Sequence, residues 1–287
     1  MNDDSQARPA FSDFHLDDRL LAAVAELGFE TATPIQEAAI HILLAGGDVI
    51  GGARTGSGKT AAFGLPMLHR LAGAERGLQA LVLTPTRELC IQVADALASF
   101  AKRIPGLGVA TIYGGAPYAP QIRAIRDGCQ VIVGTPGRVI DHLDRGTLKL
   151  DTLKVFVLDE ADQMLQMGFI EEVGKILDAT PDDRQMALFS ATMPSAIQRI
   201  AERHLKNPKT VRPESARESV DHVRQCYMVV PNHHKIEALR RFLRASERDA
   251  TLIFARTRIS CGEVADELSR RGLAVEALHG DLAQPAR

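Results

Sequence analysis

Residues 48–60 read DVIGGARTGSGKT and set the architecture expected for the first part of the chain. Residues 48–50 predict a short strand, and the residues after Gly58 have helical spacing. Because glycines lack Cβ, the backbone N–H groups beside Gly56 and Gly58 can approach phosphate oxygens closely. A strand, a glycine-rich turn and a helix in this order predict a phosphate-binding loop in an α/β fold.

The predicted loop carries the groups that bind a nucleoside triphosphate and Mg²⁺. Lys59 is placed to reach the β- and γ-phosphates, Thr60 can ligate Mg²⁺, and the helix that starts near Lys59 adds its positive dipole end. The strict pattern G-x-x-x-x-G-K-[ST] fails at its first position, where Ala53 stands. A flexible Gly/Ser loop is the alternative interpretation. The predicted nucleotide-binding residues are Ala53, Arg54, Thr55, Gly56, Ser57, Gly58, Lys59 and Thr60.

Short apolar runs alternate with segments of helical spacing as far as residue 207. Runs that are almost entirely apolar are typical of strands buried on both faces of a parallel sheet. A helix with Leu20 and Leu27 on its apolar face is expected to end at Gly28, and a second helix to begin at Pro34. The predicted strands are 48–50, 80–83, 109–112, 131–133, 155–158 and 186–189. This alternation predicts a doubly wound α/β domain.

The predicted strand at 155–158 ends in Asp159-Glu160-Ala161-Asp162. Ligands of open α/β folds bind outside the carboxyl ends of the strands, so these carboxylates are expected at the edge that binds phosphate. Asp159 is suited to hold Mg²⁺, and Glu160 to orient or deprotonate an attacking water. The alternative is a helix N-terminus whose acidic residues suit its dipole. Together with the phosphate-binding loop, the motif favours hydrolysis of ATP or GTP.

Composition limits the classes of function that are open to the chain. Its 287 residues suggest about two domains, and its formal net charge of −2 gives no argument for nucleic-acid binding from basicity. The four cysteines form no Cys-x-x-Cys pair, so neither a zinc site nor a disulfide framework is expected. The N-terminus lacks a signal-peptide core, and no apolar run approaches the ~20 residues that cross a bilayer. A soluble cytoplasmic protein is therefore expected.

The alternation breaks at residues 207–219, which read NPKTVRPESARES and contain two prolines and few large apolar residues. The expected organisation is a first domain at 1–207, a linker at 208–219 and a second α/β domain at 220–287. The second domain is predicted to have strands at 225–230, 251–254 and 274–278, and helices at 235–243 and 263–271. About 70 residues is few for such a domain, so it is expected to be incomplete.

Asp159-Glu160-Ala161-Asp162 spells the motif that names the DEAD-box RNA helicases, and further motifs resemble that family in the family's order. Residues 28–36 (GFETATPIQ) resemble its Q motif, with Phe11 seventeen positions before Gly28 and with Ala32 where the family usually has proline. The other resembling motifs are 85–89 (PTREL), 114–115 (GG), 135–138 (TPGR), 190–192 (SAT), 252–254 (LIF) and 279–281 (HGD), with Gln284 and Arg287. Matches in this order are far more specific than any single motif.

The resemblance implies a RecA-like doubly wound parallel sheet, followed by an incomplete second RecA-like domain. It implies that Gln36 reads the edge of adenine with its amide, because guanine presents the opposite pattern of donor and acceptor. Phe11 would stack on the adenine ring, so ATP would be the nucleotide. The implied catalytic residues are Lys59, Asp159 and Glu160, and the implied Mg²⁺ ligands are Thr60 and Asp159.

The resemblance also implies contacts with RNA. Arg87 and Arg138 would offer planar guanidinium groups to phosphates, and Gly114-Gly115 would let the backbone approach the strand. Such contacts involve sugar and phosphate, so little base specificity is expected. Without the surrounding motifs, an ordinary surface ion pair would be the favoured interpretation of either arginine. The implied RNA-binding residues are Pro85, Thr86, Arg87, Gly114, Gly115, Thr135, Gly137 and Arg138, and the implied coupling residues are Asp162, Ser190 and Thr192.

The function implied is that of an ATP-dependent RNA helicase, which unwinds or remodels short RNA duplexes through RNA-stimulated ATP hydrolysis. The family's later motifs, including an arginine that completes the ATP site, are expected beyond Arg287, so this chain is expected to bind ATP with little turnover. The implied partners are single-stranded or duplex RNA and ribosome-assembly or RNA-degradation proteins, with a monomeric state and no membrane. Two alternatives stay open: a non-catalytic ATP- or RNA-binding module, and a DNA helicase or translocase of a neighbouring superfamily.

Overall fold

The computed structural model describes residues 8–52, 56–73, 76–212, 224, 226–245 and 250–282. These residues belong to two units, one ending at residue 221 and the other beginning at residue 222. Among the described residues, no helix combines the length and the apolar character that a membrane span requires.

A seven-stranded parallel sheet forms the centre of the first unit. Its strands are β1 (Val49–Gly51), β2 (Ala80–Leu83), β3 (Val109–Ile112), β4 (Val131–Gly134), β5 (Val155–Leu158), β6 (Gln185–Phe189) and β7 (Lys209–Val211). They lie in the order β3-β4-β2-β5-β6-β1-β7, and each neighbouring pair is parallel. β2, β4, β5 and β6 are buried along their whole length, which explains their nearly continuous apolar sequence.

Helices cover both faces of this sheet. They are α1 (Asp18–Glu26), α2 (Pro34–Leu44), α3 (Lys59–Leu71), α4 (Arg87–Ala101), α5 (Tyr118–Arg126), α6 (Pro136–Asp144), α7 (Ala161–Gln166), α8 (Ile170–Asp178) and α9 (Ser195–His204). Successive strand residues enter two separate cores. Val82 and Val157 pack with α1 to α4, whereas Leu81 and Phe156 pack with α6 to α9. The predicted doubly wound parallel sheet is confirmed.

Residues 209–211 correct the predicted linker. They form β7 and pair with β1, so that Val49 lies opposite Lys209. β7 is an edge strand in which Val211 is buried and the two residues before it are exposed. Such a strand lacks the apolar run by which the central strands are recognised. The linker prediction is therefore wrong for these three residues.

The first two helices agree with the sequence analysis except at one side chain. Gly28 follows α1 with a φ of +77°, as a terminating glycine does, and α2 begins at Pro34. Leu27 was expected on the apolar face of the first helix, but its side chain is exposed. The reason is that α1 ends at Glu26, so the chain leaves the helix before Leu27 can point into the core.

Two α-helices are described in the second unit, α10 (Lys235–Arg244) and α11 (Arg258–Arg270), and a 3₁₀ helix, Asn232–His234, precedes α10. α10 matches its predicted bounds to within one residue. α11 begins earlier than the predicted residue 263, because Thr257 Oγ1 caps it by accepting a hydrogen bond from Ser260 N at 3.0 Å. Arg271, which follows α11, forms an ion pair with Glu237 on α10 at 3.0 Å.

The three strands predicted for the second unit are wrong. The described residues within 224–282 form no strand, and Gln225, where the first was expected to begin, lies outside the described residues. The side chains of Tyr227, Val229 and Phe254 are almost fully exposed. An apolar run becomes a strand where neighbouring strands satisfy its backbone and a packed layer covers its side chains. Within the described part of this unit, these three side chains have no such cover.

Gly51, at the carboxyl end of β1, gives a prediction about stability. A Cβ at this position would overlap the fully buried ring of Phe189 on β6. We expect Gly51→Ala to lower the free energy of unfolding by roughly 1–3 kcal/mol, because overpacking forces core side chains out of their rotamers. Gly174→Ala in α8 is the control: its Cβ meets nothing within 4 Å, and alanine should stabilise the helix by about 0.5–1 kcal/mol. Urea denaturation measures both, and equal midpoints would contradict the packing described for Gly51.

Candidate functional site

The motifs predicted to bind nucleotide and RNA lie along the carboxyl edge of the sheet in two groups. The phosphate-binding loop, residues 159–162 and residues 190–192 follow β1, β5 and β6, which are neighbours in the sheet. Residues 85–89, 114–115 and 135–138 follow β2, β3 and β4, which are also neighbours. β2 pairs with β5, so the two groups meet in the middle of the edge. This edge is where open α/β sheets bind their ligands.

Two glycines shape the phosphate-binding loop. Gly56 and Gly58 have φ values of +83° and +92°, which residues with a Cβ rarely adopt. Gly58 is the N-cap of α3, so the free N–H groups of the first helical turn lie beside the loop. A Cβ at Gly58 would also overlap the amide of Gln36. Ala53, Arg54 and Thr55, which were also predicted to bind nucleotide, lie outside the described residues.

Lys59 pairs with both carboxylates that were predicted to act in catalysis. Its Nζ lies 3.2 Å from Asp159 Oδ1 and 3.3 Å from Glu160 Oε1. Lys59 is buried, and Asp159 is only 1% exposed. Burial raises the pKa of Asp159 and the neighbouring Lys59 lowers it, with a net pKa above the ordinary value. Lys59 is therefore the counter-ion of the acidic pair in this structure.

Glu160 has an unusual backbone conformation, with φ +55° and ψ +51°. This left-handed region costs a non-glycine residue roughly 1–2 kcal/mol. Glu160 is also the N-cap of α7, so the strained residue stands at the point where the end of β5 turns into a helix. Strain of this kind clusters at functional sites, where it fixes the direction of side chains.

Two buried polar atoms test whether the site fits a triphosphate with Mg²⁺. Ser57 Oγ and Asp159 Oδ1 have no hydrogen-bond partner among the described residues, although Oδ1 has its ion pair with Lys59. Buried polar atoms are normally satisfied, so both atoms are suited to a ligand. In the described ranges, no three His, Cys, Asp or Glu side chains converge to form a metal centre. A carboxylate and a hydroxyl, from Asp159 and Thr60, complemented by phosphate oxygens, are the donors that suit Mg²⁺.

Gln36 joins the segment before α2 to the phosphate-binding loop. Its Oε1 accepts a hydrogen bond from Thr33 N at 2.8 Å, and its Nε2 donates to Gly58 O at 3.1 Å. Thr33 Oγ1 adds a hydrogen bond to Ser57 O at 2.9 Å. Ala32, the departure from the family pattern, is fully buried beside this network. Gln36 therefore supports the loop in this structure, and its contact with adenine stays a prediction.

Phe11 lies in a short 3₁₀ helix, Phe11–Phe14, and is buried. The centroid of its ring lies 6.0 Å from that of Phe14 and 6.2 Å from that of Phe29, with the last pair 28° from parallel. Phe29 is 41% exposed, so it presents the more accessible ring of the two. Stacking of Phe11 on adenine stays a prediction, and Phe29 is an aromatic neighbour to which the sequence analysis assigned no role.

The three residues predicted to couple the site are joined by hydrogen bonds. Asp162 Oδ2 accepts from Thr192 N at 3.0 Å and from Thr192 Oγ1 at 2.9 Å. Ser190 Oγ accepts from Asp162 N at 3.1 Å and donates to Thr192 O at 2.6 Å. Burial raises the pKa of Asp162, but the hydrogen bonds from Thr192 and Ser190 outweigh it, so this pKa lies below the ordinary value. The network ties the segment after β5 to the segment after β6.

Arg87 lies beside the turn that follows β3. The Cζ atom of Arg87 is 5.9 Å from the centroid of the Tyr113 ring. Gly115 has a φ of +78°, and a Cβ there would lie 3.1 Å from Arg87 Nη1, so the glycine leaves room for the guanidinium. Thr86 caps α4, since its Oγ1 accepts a hydrogen bond from Leu89 N at 3.2 Å. Of the other predicted RNA contacts here, Pro85 is buried and Gly114 is exposed.

Arg138 is 8% exposed and is engaged by its own unit. Its Nη1 donates to Ala116 O at 3.0 Å and to Gln121 Oε1 at 3.3 Å. The predicted contact of Arg138 with RNA phosphate therefore stays a prediction, and its observed role is to hold the turn after β3. Thr135 and Gly137, predicted beside it, are half-buried at the start of α6.

Four further residues contribute to this edge: Thr33, Tyr113, Gln121 and His142. Thr33 and Tyr113 lie within or next to motifs of the sequence analysis, so their position could have identified them. Gln121 and His142 lie inside helices α5 and α6, where a lone polar residue gives no functional signal. Their role depends on how these two helices pack.

Comparisons with known proteins agree with this geometry. Residues 33–200 match the DEAD/DEAH box helicase family. The ATP-dependent RNA helicases DeaD of Klebsiella pneumoniae and Escherichia coli (strain K12) are each 50% identical over 277 residues, which cover 96% of this chain and 43% and 44% of those proteins. The chain thus spans less than half the length of these curated relatives.

A solved structure supports the fold as well. The crystal structure of a DEAD box protein from the hyperthermophile Methanococcus jannaschii has a TM-score of 0.69 and 40% identity, covering 96% of this chain and 74% of that one. This likeness confirms the RecA-like form of the parallel sheet. Because the family match covers more than half of the chain and the motifs stand in one site, the chain belongs to the DEAD/DEAH box helicase family.

Proposed function

We propose that this chain is the nucleotide- and RNA-binding part of an ATP-dependent RNA helicase, which remodels short RNA duplexes through RNA-stimulated ATP hydrolysis. The observation that carries the proposal is the division of one sheet edge into two groups of motifs. Those after β1, β5 and β6 suit a triphosphate, and those after β2, β3 and β4 suit a sugar–phosphate backbone. The groups adjoin where β2 pairs with β5, so the two ligands would bind side by side.

Binding of ATP would rearrange the ion pairs of Lys59. Its Nζ would leave the carboxylates of Asp159 and Glu160 for the β- and γ-phosphates, which offer more negative charge. Asp159 and the Thr60 hydroxyl are the groups that would hold Mg²⁺, and when bound Mg²⁺ neutralises charge on the phosphate oxygens. Glu160, released from Lys59, would orient the attacking water and accept its proton.

Selection of the base would depend on Gln36. Its amide already has a fixed orientation, because Oε1 accepts from Thr33 N and Nε2 donates to Gly58 O. The amide keeps its second N–H donor and its second oxygen lone pair for the base. This pair of groups matches the edge of adenine and mismatches that of guanine. Phe11, with Phe29 beside it, would provide the aromatic surface near the base.

The RNA strand would be bound through its backbone. Gly114 and Gly115 are exposed, so their backbone can approach a sugar or phosphate, and Arg87 lies against Gly115. The Asp162–Ser190–Thr192 network would transmit a conformational change at the nucleotide to the other segments at the carboxyl edge of the sheet. Each ligand would then strengthen binding of the other, since such coupling is reciprocal.

The wider setting is proposed from the motif resemblance. We propose that the chain acts in the cytoplasm as a monomer, on single-stranded or duplex RNA, alongside ribosome-assembly or RNA-degradation proteins. The cysteines support a reducing compartment, since Cys90, Cys129, Cys226 and Cys261 are all free thiols.

The test is equilibrium binding of fluorescent ATP and GTP analogues with Mg²⁺, alone and with single-stranded RNA or DNA. We expect ATP to bind at least about tenfold more tightly than GTP, because a mismatched donor–acceptor edge leaves polar groups unpaired. RNA should increase ATP affinity by roughly 5-fold or more, and DNA should have little effect. Equal affinity for the two nucleotides would contradict the role of Gln36.

Two further outcomes would favour the alternatives. Stimulation by single-stranded DNA equal to that by RNA would indicate a DNA translocase. ATP binding with a turnover unchanged in Glu160→Gln would indicate a non-catalytic binding module. The matched control for that variant is Glu171→Gln, at an exposed glutamate on α8 outside the site.

A further inference from the structure

A buried polar cluster lies beneath the turn after β3, centred on Gln121 of α5. Gln121 is 6% exposed. Its Nε2 donates to Tyr113 O at 3.2 Å, and its Oε1 accepts from Arg138 Nη1 at 3.3 Å. The same Oε1 lies 3.1 Å from His142 Nε2. One amide thus joins the turn after β3 to α5 and α6, and its donor and acceptor cannot exchange places without losing the hydrogen bonds to both Tyr113 O and Arg138.

The contacts of His142 place a proton on one of its two ring nitrogens. Because Gln121 Oε1 can only accept, His142 Nε2 must carry a proton. On the other side of the ring, Nδ1 lies 2.8 Å from the hydroxyl oxygen of Thr147, and this hydroxyl donates to His142 O at 3.1 Å. Burial and the nearby Arg138 lower the pKa of His142. Both ring nitrogens of His142 thus have a polar partner, and Nε2 is the nitrogen that donates to Gln121.

The cluster holds both ends of one turn. Gln121 anchors Tyr113 O directly, and it anchors Ala116 O through Arg138, whose Nη1 donates to that carbonyl at 3.0 Å. Gly114 and Gly115 lie between these anchors and are exposed. A turn held at its two ends from below presents its middle residues in one conformation.

Tyr118 closes the cluster on its outer side. The Cζ atom of Arg138 lies 4.0 Å from the centroid of the Tyr118 ring, and the Tyr118 hydroxyl donates to Asp141 Oδ2 at 2.9 Å. Asp141 also lies 3.6 Å from Arg138 Nε. The Arg138 guanidinium is therefore contacted on its flat face and at two of its edges. Because these contacts restrict its movement, it can hold the turn in place.

We propose that Gln121 is a positioning residue for RNA binding: it pre-organises the 113–116 turn, through Tyr113 and Arg138, for contact with the RNA backbone. The inference rests on the proposed function, because it assigns a supporting role to a surface that function requires. The family resemblance implies that Arg138 contacts RNA phosphate, whereas in this inference Arg138 supports the turn through its hydrogen bond to Ala116 O. Pre-organisation of a binding loop raises affinity because less ordering remains to be done on binding.

The experiment compares Gln121→Met with Gln130→Met, each in the full chain. Gln130 is a matched control, since it is also buried and also holds a turn, with Oε1 accepting from Gly108 N at 2.8 Å and Nε2 donating to Gly106 O at 3.1 Å. That turn precedes β3 and lies at the opposite edge of the sheet. Binding of labelled single-stranded oligouridine is measured with a non-hydrolysable ATP analogue, and ATP affinity is measured without RNA.

We expect both methionine variants to lower the melting temperature and to leave ATP affinity unchanged. Only Gln121→Met should weaken RNA binding, by roughly tenfold, because it releases both ends of the turn. Equal RNA affinities for the two variants and the unaltered chain would overturn the inference. If the unaltered chain itself binds no RNA, the proposed function fails, and that result is distinct from a failure confined to Gln121.

A second variant keeps the inference testable if Gln121→Met does not fold. Gln121→Glu retains acceptors for Arg138 and His142 but cannot donate to Tyr113 O. We expect this variant to fold and to weaken RNA binding by less than Gln121→Met does. The ¹⁵N resonances of the His142 ring should shift, because the partner of Nε2 becomes a carboxylate. RNA affinity equal to that of the unaltered chain would show that anchoring Tyr113 has no part in binding.

Discussion

Lys59→Ala is expected to abolish tight nucleotide binding and to destabilise the chain at the same time. Lys59 Nζ lies 3.2 Å from Asp159 and 3.3 Å from Glu160, so its removal leaves two adjacent carboxylates without that cation. A charge-assisted contact contributes about 1.5–3 kcal/mol, which predicts an ATP affinity lowered roughly 10- to 150-fold. Breaking a buried ion pair costs roughly 3–5 kcal/mol before protonation of Asp159 relieves the repulsion.

Titration calorimetry with ATP and thermal denaturation without nucleotide measure the two effects of this substitution. Lys175→Ala is the matched control, because Lys175 is an exposed lysine on α8. It should change neither quantity beyond error. Unaltered ATP affinity in Lys59→Ala would remove the basis for a phosphate site at this loop, and an unaltered melting temperature would contradict the ion pairs described for Lys59.

The central sheet could be predicted because its strands are buried on both faces. β2 and β5 are apolar at every position, and a run of that kind between helical segments has few other interpretations. β7 escaped prediction because an edge strand buries one face at most, and only Val211 among its residues is apolar and buried. The strands expected in the second unit show the converse error. An apolar run such as 251–254 is typical of a strand, but a strand also requires a neighbouring strand to pair with, and the run alone does not show that one is present.

That the residues of the candidate nucleotide site lie together could also be predicted, but the contacts that they make in this structure could not. Lys59 and Glu160 belong to motifs that a parallel sheet brings to one edge, so their proximity follows from topology. That Lys59 is already paired with the carboxylates depends on side-chain geometry, which no motif contains. The same holds for Gln36, whose amide bonds to Gly58 O. Gln121 lies beyond sequence-based prediction altogether, because its importance comes from three elements that meet only in the folded chain.

The ion pairs around Lys59 imply a conflict between stability and function. In the folded chain Lys59 Nζ lies within 3.3 Å of two carboxylates, and burial raises the pKa of Asp159 above its ordinary value. The charged form of Asp159 is therefore disfavoured by its burial, at a place where the proposed function needs that charge to hold Mg²⁺. Sites of this kind are commonly retained at the expense of stability, so neutralising one charge should stabilise the fold while it removes the ligand.

Asp159→Asn tests this conflict directly. Asparagine keeps the shape of the side chain and leaves Lys59 with Glu160 as a balanced pair, so we expect the free energy of unfolding to rise by roughly 0.5–2 kcal/mol. We expect Mg²⁺-dependent ATP affinity to fall roughly 10- to 150-fold, because a neutral amide is a poor ligand for a hard cation. Urea denaturation and ATP titration with and without Mg²⁺ measure the two effects, with Asp151→Asn, at an exposed aspartate before β5, as the control. Lys59→Ala is expected to lose both stability and ATP binding, whereas Asp159→Asn is expected to lose only ATP binding and to gain stability. Opposite changes of stability in these two variants would show that negative charge at this site destabilises the fold. A destabilised Asp159→Asn would instead mean that the carboxylate supports the fold.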